Sequence, residues 1–234
     1  MAIVVIAGSK PNPVFPDVVP DYFIGANGAI AYAERYGKEV VKWGVISNSL
    51  LVLENEGIAT TRKILDGSCL DNLYIINFRS IKMERFTPYE IFGALKNVTR
   101  LSRFNKTIRT LRVIGLTSLA NYLGKIPIDI NFFSFIKYLL IRQSIKELHL
   151  STGMMSLVIA ISEIEKIDKI YLVGIGFEPN SGHFYVRNEI YGSGHIIQDK
   201  FFFDHMKKKL MHQIDLLECS TGDGEPPTDL SHKH

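Results

Sequence analysis

His195 is the residue whose type and setting most favour acid–base chemistry. It follows a long Gly-, Asn- and Ser-containing loop, which itself follows an apolar run at residues 170–175. An imidazole titrates near neutrality, so here it can take a proton from an attacking hydroxyl. Asp199 lies four residues further on, where one helical turn would let its carboxylate orient the ring. His183 competes for the same role, and a histidine that only caps the last helix or lies on the surface is the non-catalytic alternative.

Tyr185 and two asparagines are the next candidates. A phenol can donate a hydrogen bond to a departing phosphate without adding fixed charge. Tyr185 can equally cover the core, and Tyr191 is a second choice for the donor. Asn27 and Asn48 each follow a predicted strand, and their amides offer both donors and acceptors to a base, a ribose or a sugar. Asparagine is also a common turn former, which is the plainer explanation for both.

Two small-residue turns can present backbone N–H groups to a phosphate. Gly8-Ser9 follows the first apolar run, and Thr152-Gly153 precedes an apolar helix that Ser151 or Thr152 can cap. The chain has no GxGxxG and no Walker sequence, and no DxD-type pair lies at a strand end. These absences disfavour a dinucleotide oxidoreductase, a P-loop kinase and a metal-dependent transferase.

The apolar pattern predicts the elements that must position these residues. Strands are predicted at 3–8, 22–26, 42–46, 73–78, 111–116 and 170–175, and helices at 29–36, 88–97, 133–145, from 154 onward, and 199–218. In a parallel sheet the carboxyl ends of the strands share one edge, so the candidate residues should meet there. A strand that opens into a loop, with a small-residue turn before it and a lone histidine after it, favours a nucleotide-sugar site and hence a transferase.

We therefore predict an α/β fold, Rossmann-like, with a mostly parallel sheet flanked by helices in a GT-A-like variant and a small helical lid. Residues 1–220 form one nucleotide-sugar-binding domain in this prediction. Residues 80–110, with dense charge and weak periodicity, are interpreted as the lid or an acceptor-facing insertion. Residues 221–234 are rich in Gly, Pro and acid and are predicted to be a disordered tail.

Composition narrows the class of protein. With 234 residues, 46% hydrophobic and 22% charged, the chain can bury a sizeable core. Cys69 and Cys219 are too far apart for a disulfide framework or a metal knuckle, which indicates a reducing cytoplasm. The apolar start is too short for a signal peptide, and no stretch reaches the roughly 18 apolar residues of a membrane span. A cytoplasmic protein is predicted, with any contact to the inner membrane peripheral and made through the last helix.

The formal net charge of +3 is too small to name a partner, but basic residues cluster between 79 and 112. Such a cluster attracts phosphates, acidic sugars or anionic lipid, and a solvated helical face is the alternative. Nucleic acid ranks last as a partner, because the cluster lacks interleaved aromatic residues on which bases could stack. The cationic residues of the cluster are Arg79, Lys82, Arg85, Lys96, Arg100, Arg103, Lys106, Arg109 and Arg112.

The order of these segments along the chain resembles a known family. Gly8-Ser9, residues 21–27, residues 45–48, the turn at 151–153 with its helix and strand, and Gly194-His195 follow one another. This order is similar to that of the small bacterial CMP-sialic-acid-dependent sialyltransferases, glycosyltransferase family forty-two. The resemblance covers most of the chain, rests on short motifs, and is densest from 150 to 195.

The resemblance implies a single Rossmann-type domain with a lid, no metal and no other cofactor, and inversion at the anomeric carbon. His195 then matches the catalytic base, and Tyr185 falls near a tyrosine that assists the leaving phosphate. Asn27 and Asn48 match two asparagines that hold the CMP-sugar. The family's two phosphate-side turns match Gly8, Ser9, Thr152 and Gly153.

Three departures from the family pattern affect the expected site. Gly176-Phe177-Glu178 stands where the family has an aspartate and its first tyrosine, His149 stands in place of an arginine, and the first loop is Gly-Ser-Lys-Pro. A carboxylate at Glu178 is unfavourable beside a phosphate unless it is protonated or paired. It could instead bond acceptor hydroxyls, or act as a nucleophile in a retaining relative.

The function implied is transfer of a nonulosonic acid, sialic acid first, from a CMP-activated donor to a glycan or glycolipid hydroxyl, as in lipooligosaccharide or capsule synthesis. Transfer of Kdo from CMP-Kdo is the close alternative. A nucleotide-binding protein of the same fold with weakened catalysis is a third possibility. A homo-oligomer is left open.

Overall fold

The computed structural model describes residues 1–117, 150–177 and 195–217. Within these ranges seven strands form one sheet in which every pairing is parallel, in the order β5-β4-β3-β2-β1-β6-β7. The predicted α/β, Rossmann-like fold is confirmed. The strands are β1 Ile3–Ala7, β2 Tyr22–Ala26, β3 Val41–Ser47, β4 Cys69–Phe78, β5 Ala94–Ser102, β6 Lys169–Val173 and β7 Ile214–Leu217.

Helices cover both faces of this sheet. A 3₁₀ helix spans Asn27–Arg35, and two short ones span Ile81–Met83 and Met211–Gln213. The α-helices are α1 Ser49–Val52, α2 Glu56–Leu65, α3 Pro88–Ile91, α4 Arg103–Val113, α5 Thr152–Glu163 and α6 Ile196–Leu210.

The strand order reverses between β1 and β6. The chain builds outward from β1 to β5 on one side, then returns to place β6 and β7 on the other side of β1. Ala7 pairs with both Gly25 of β2 and Val173 of β6, so these three strands end at the same level. A reversal of this kind leaves a crevice at the carboxyl edge, which is where open α/β sheets bind ligands.

The central strands are buried on both faces. In β1, Val4 and Ile6 pack with α5 and α6, whereas Val5 and Ala7 pack with the 3₁₀ helix 27–35, and all four are 0% exposed. Continuous apolar runs are typical of parallel strands covered on both sides. This is why strands 22–26, 42–46 and 170–175 could be placed from their composition to within two residues at either end.

The predicted strand at 111–116 is wrong. Residues 103–113 form α4, whose first turn is capped by Ser102 Oγ accepting from Asn105 N at 3.1 Å. Ile108 and Leu111 are buried on its inner side. The aliphatic residues at 111–114 continue the apolar face of this helix, and so they were mistaken for a β-branched run.

The predicted helix 88–97 and the predicted lid at 80–110 also need correction. Only Pro88–Ile91 is helical, and residues 94–102 form β5, paired along β4. Residues 94–110 therefore belong to the sheet edge and to α4, which packs on it. Polar and charged side chains are normal on an edge strand, because they discourage pairing with other chains, and here they obscured the strand pattern.

The last predicted helix is shorter than expected. It spans Ile196–Leu210 and ends where Met211 adopts a positive φ of 44°. The apolar residues after it form β7, in which Ile214 pairs with Ile170 of β6. Spacing alone made Leu210, Ile214 and Leu217 look like one helical face. The predicted helix 133–145 and tail 221–234 lie outside the described residues.

The basic cluster does not form a continuous cationic face. Four of its nine cations are paired with carboxylates and a fifth, Lys106, is 2% exposed. Such pairing leaves less free charge for an anionic partner. The ion pairs are Arg85 with Glu54, Lys96 with Asp71, Arg100 with Glu84 and Arg109 with Glu163.

In the parts of the chain that the structure describes, no helix is both long enough and apolar enough to cross a bilayer.

Candidate active site

A cleft lies at the carboxyl edge of the sheet, around the reversal between β1 and β6. Its volume is 270 Å³, close to the lower end of the roughly 300–1,000 Å³ of typical small-molecule sites. Residues at the ends of five strands and at the starts of α5 and α6 contribute to it. The lining residues are Gly8, Ser9, Lys10, Ala26, Asn27, Ser47, Ile76, Asn77, Leu150, Ser151, Thr152, Gly153, Gly174, Ile175, Gly176, His195 and Asp199.

The floor of the cleft is a close backbone contact between two glycines. Gly8 N donates to Val173 O at 2.8 Å, and Lys10 N donates to Gly174 O at 3.0 Å. A Cβ added at Gly8 would lie 2.6 Å from Gly174 O, and one added at Gly174 would lie 2.7 Å from Gly8 O. The expected role of the Gly8 N–H as a phosphate donor is therefore wrong, because that group already closes the β1–β6 turn. Glycine is needed at positions 8 and 174, because a side chain at either would prevent the two backbones from coming this close.

Ser9 and Asn27 hold the turns on the β2 side of the cleft. Ser9 Oγ donates to Ala26 O at 3.2 Å, and Asn27 Oδ1 accepts from Ser47 N at 3.1 Å. Asn27 has a positive φ of 49°, a conformation that asparagine tolerates better than most residues. Its side-chain oxygen thus ties the end of β2 to the end of β3, which leaves the amide nitrogen as the group that a ligand could use.

Helix α5 points its amino terminus at the cleft. Ser151 is the cap, and its Oγ accepts from Met154 N at 3.3 Å, so the capping residue is Ser151 rather than Thr152. The N–H groups of Thr152 and Gly153 belong to the first helical turn, which has no intrahelical acceptors. A Cβ added at Gly153 would come no closer than 3.6 Å to other atoms. Packing does not require glycine there, and free N–H groups in the first turn of a helix are a setting that favours anions.

His195 lines the same cleft, at the residue before α6. It occupies the N-cap position of α6, but its ring makes no capping hydrogen bond. This observation argues against the interpretation of His195 as a simple helix cap. Because Gly8, Asn27 and Gly153 line the cleft as well, the structure brings the predicted base and the predicted donor-side residues together.

Asp199 lies one turn into α6 and is 7% exposed. Its Oδ1 accepts from Ser151 N at 2.9 Å, so its carboxylate joins the start of α6 to the start of α5. Burial raises the pKa of Asp199, opposed by the hydrogen bonds from Ser151 and by the nearby His195 and Lys106. The expected orienting role of Asp199 toward His195 stays a prediction, and the hydrogen bond that the structure gives its carboxylate is the one from Ser151 N.

Lys106 is buried directly behind the 150–151 turn. It is 2% exposed, and its Nζ donates to Leu150 O at 3.5 Å. Burial, with a smaller effect of Arg103 on the same helix, lowers the pKa of Lys106 to about 8, whereas Asp199 acts to raise it. The cation offsets the carboxylate of Asp199 beneath the start of α5.

The burial of Lys106 predicts a rise in stability in alkali. Between pH 8 and 10.5 the folded chain has lost this proton while the unfolded chain still binds it, because the pKa falls from 10.5 to about 8 on folding. Unfolding then takes up a proton, so the free energy of unfolding should increase by about 3 kcal/mol across this window. Urea denaturation of wild type and Lys106→Met at pH 7.5 and 10.5 measures the difference between them.

Lys208→Met is the matched control, because Lys208 is an exposed lysine on α6. Its change in stability with pH should follow that of wild type, since it is not buried. Equal alkaline profiles for wild type and Lys106→Met would contradict the prediction.

Not all predicted site residues lie in the cleft. Asn48 is 7% exposed and does not line it; its backbone already has helical angles at the start of α1. Its predicted contact with a donor sugar therefore has no support from its position. Tyr185, Glu178 and His149 lie outside the described residues, as do His183 and Tyr191.

Lys10 and Asn77 are polar lining residues that were not predicted as site residues. Lys10 extends over the backbone of Gly176, and a Cβ at Gly176 would collide with its ammonium group. The position of Lys10 directly after Gly8-Ser9 is the sequence feature that could have identified it as a site residue. Asn77, near the end of β4, also lines the cleft. Asn77 follows an apolar run just as Asn27 does, but the predicted strand 73–78 includes it.

Chemically, the cleft combines a titratable imidazole, a lysine, amide and hydroxyl groups and a helix amino terminus. No three His, Cys, Asp or Glu side chains are grouped as metal ligands among residues 1–117, 150–177 and 195–217. Comparison with protein-family models, curated proteins and solved structures found no match to this chain. The site must therefore be interpreted from its own geometry.

Proposed function

We propose that this protein is a metal-independent glycosyltransferase that moves a nonulosonic acid from a CMP-activated donor to a glycan hydroxyl. The observation that carries the proposal is the position of His195. It lines one cleft with the amino terminus of α5, with Lys10 and with Asn27. A base, an anion-binding terminus and polar groups for a sugar or base are the parts that such a transfer needs.

The phosphate of the donor would lie between α5 and Lys10. The first-turn N–H groups of Thr152 and Gly153 supply hydrogen bonds and the positive end of the helix dipole. Lys10 supplies a full positive charge near Gly176. As the bond between the anomeric carbon and the phosphate oxygen breaks, these groups stabilise the charge that develops on the departing CMP.

His195 would act as general base. The acceptor hydroxyl gives its proton to a ring nitrogen, its oxygen attacks the anomeric carbon, and CMP leaves with the electron pair of the broken bond. Attack from the face opposite the phosphate inverts the configuration. Buried Asp199, one turn away, stabilises the imidazolium that results, because its negative charge is close to the ring.

A panel of activated sugars tests the proposal. The purified protein is mixed with CMP-sialic acid, CMP-Kdo, CMP, UDP-glucose and GDP-mannose, and both the melting temperature and the release of free nucleotide are followed. We expect CMP compounds alone to raise the melting temperature, because ligands that bind only the folded state stabilise it. CMP should be released from one of the two CMP-sugars and not released by a heat-denatured sample.

The outcomes separate the candidate functions. Release from CMP-Kdo and not from CMP-sialic acid assigns the Kdo alternative. Stabilisation by CMP-sugars without turnover indicates a nucleotide-binding protein that lacks catalysis. No stabilisation by any CMP compound at millimolar concentration would rule the proposal out.

A further inference from the structure

Asn77 interrupts the regular pairing of β4 with β5. The register shifts between Ile76 and Phe78, which is the pattern of a β-bulge, and Asn77 has a positive φ of 60°. Bulges and left-handed residues cost regular hydrogen bonding, and they recur beside functional sites, where they aim a side chain. Here the bulge lies where β4 reaches the cleft, and Asn77 is one of the residues that line it.

The side-chain oxygen of Asn77 has no hydrogen-bond partner. Oδ1 is shielded from solvent, and no donor in the described parts of the chain reaches it. An unpaired acceptor of this kind costs roughly 1–3 kcal/mol, so its retention calls for an explanation. The other asparagine of the cleft, Asn27, differs in this respect, because its Oδ1 already accepts from Ser47 N.

A second unpaired amide oxygen lies on the neighbouring strand end. Asn48 N donates to Ile76 O at 2.9 Å, which joins the end of β3 to the bulge, and Asn48 Oδ1 is also without a partner in the described chain. Asn48 itself does not line the cleft, so among the described lining residues Asn77 carries the unpaired acceptor at the β4 end. The β1–β6 end, with Lys10 and the first turn of α5, is rich in donors.

The distance between these ends limits what can bridge them. Strands β4 and β1 are separated by β3 and β2, and adjacent strands lie about 4.8 Å apart, so the two ends are roughly 14 Å apart. A phosphate held by Lys10 and α5 cannot itself reach Asn77. A hydroxyl or N–H group on a different part of the same ligand can.

We propose that Asn77 Oδ1 accepts a hydrogen bond from a hydroxyl or N–H group of the donor substrate, at the end remote from its phosphate. Asn77 is then a specificity-determining residue that selects ligands with a hydrogen-bond donor at this position. This inference rests on the proposed function, since it takes the ligand to be a nucleotide-activated sugar.

Asn77→Gly tests the inference, because glycine adopts the same positive φ without strain while the side chain with its amide is removed. Binding of CMP-sialic acid, CMP-Kdo, CMP and cytidine is measured by calorimetry with wild type and variant. We expect the variant to keep the melting temperature of the unliganded protein within a few degrees. Its Kd for the CMP-sugar that wild type binds should be about 10-fold higher, the loss expected for one hydrogen bond to a buried acceptor.

The smaller ligands show which part of the donor carries the group. An equal loss for CMP and cytidine assigns it to the base or ribose, whereas a loss confined to the CMP-sugar assigns it to the transferred sugar. Wild-type affinity of Asn77→Gly for every ligand overturns the role of Asn77 and leaves the proposed function standing. If wild type binds none of the four ligands, both the function and this inference fail.

Discussion

Replacing His195 with alanine is expected to lower the rate of CMP release from the donor by about 10²- to 10⁴-fold, the range for loss of a general base. The ring lines the cleft from the start of α6 and makes no capping hydrogen bond. We expect its removal to leave the fold and the proposed phosphate-binding groups intact, because His195 is only partly buried and precedes the helix. We expect the Kd for the donor to change by no more than a few-fold, so the effect should fall on kcat.

His205→Ala is the matched control for this experiment. His205 lies on the same helix, and its Nε2 contacts Ile114 O at 3.2 Å, away from the residues that line the cleft. Its replacement should leave kcat near the wild-type value. If His195→Ala retained wild-type kcat with each acceptor tested, His195 would not be the base, and His183, the other candidate from the sequence, would be tested next.

Replacing Gly174 with alanine is expected to destabilise the fold by about 3 kcal/mol. Gly174 has a φ of +59°, and an added Cβ would lie 2.7 Å from Gly8 O. The substitution therefore combines left-handed strain with a collision against backbone, and neither atom can move without opening the β1–β6 turn. In a domain of this size the melting temperature should fall by roughly 10 °C, as measured by circular dichroism.

Gly67→Ala separates strain from collision. Gly67 has a φ of +78°, and an added Cβ would meet nothing within 4 Å. It should lose only about 1 kcal/mol, the cost of the left-handed conformation. Equal losses for the two variants would show that the close approach of Gly8 and Gly174 does not contribute to the floor of the cleft.

The parts of the fold that were predictable are those with a strong local pattern. Strand β2 was predicted at its observed bounds, and Ser151 was one of the two residues predicted to cap α5. Buried parallel strands and capped helices carry their signal in adjacent residues. The sheet edge was not predictable in the same way. The large apolar residues of β5 lie at 95, 98 and 101, a spacing of three that lacks the alternation of a strand, and β7 follows a helix with an apolar spacing that fits either structure.

The candidate site was likewise predictable only in part. Gly8, Asn27, Thr152, Gly153 and His195 were predicted from small or polar residues at the ends of apolar runs, and all of them line the cleft. Asn48 has the same local setting as Asn27, but it is buried at the start of α1 and does not reach the cleft. Local sequence could not distinguish these two asparagines, because which strand-end side chain faces the cleft depends on the neighbouring elements.

The amino-acid sequence alone determined that parallel strands would end in small and polar residues and that a lone histidine would follow the last central strand. Only the tertiary structure decided which of these residues meet. The reversal between β1 and β6 opens the cleft, the contact of Gly8 with Gly174 forms its floor, and the bulge places Asn77 in its lining. Lys106 also became part of this region only on folding, since it belongs to the basic cluster in sequence and is buried behind Leu150 in space. These features depend on contacts between residues far apart in the chain, and such contacts form only when the sheet and its helices pack together.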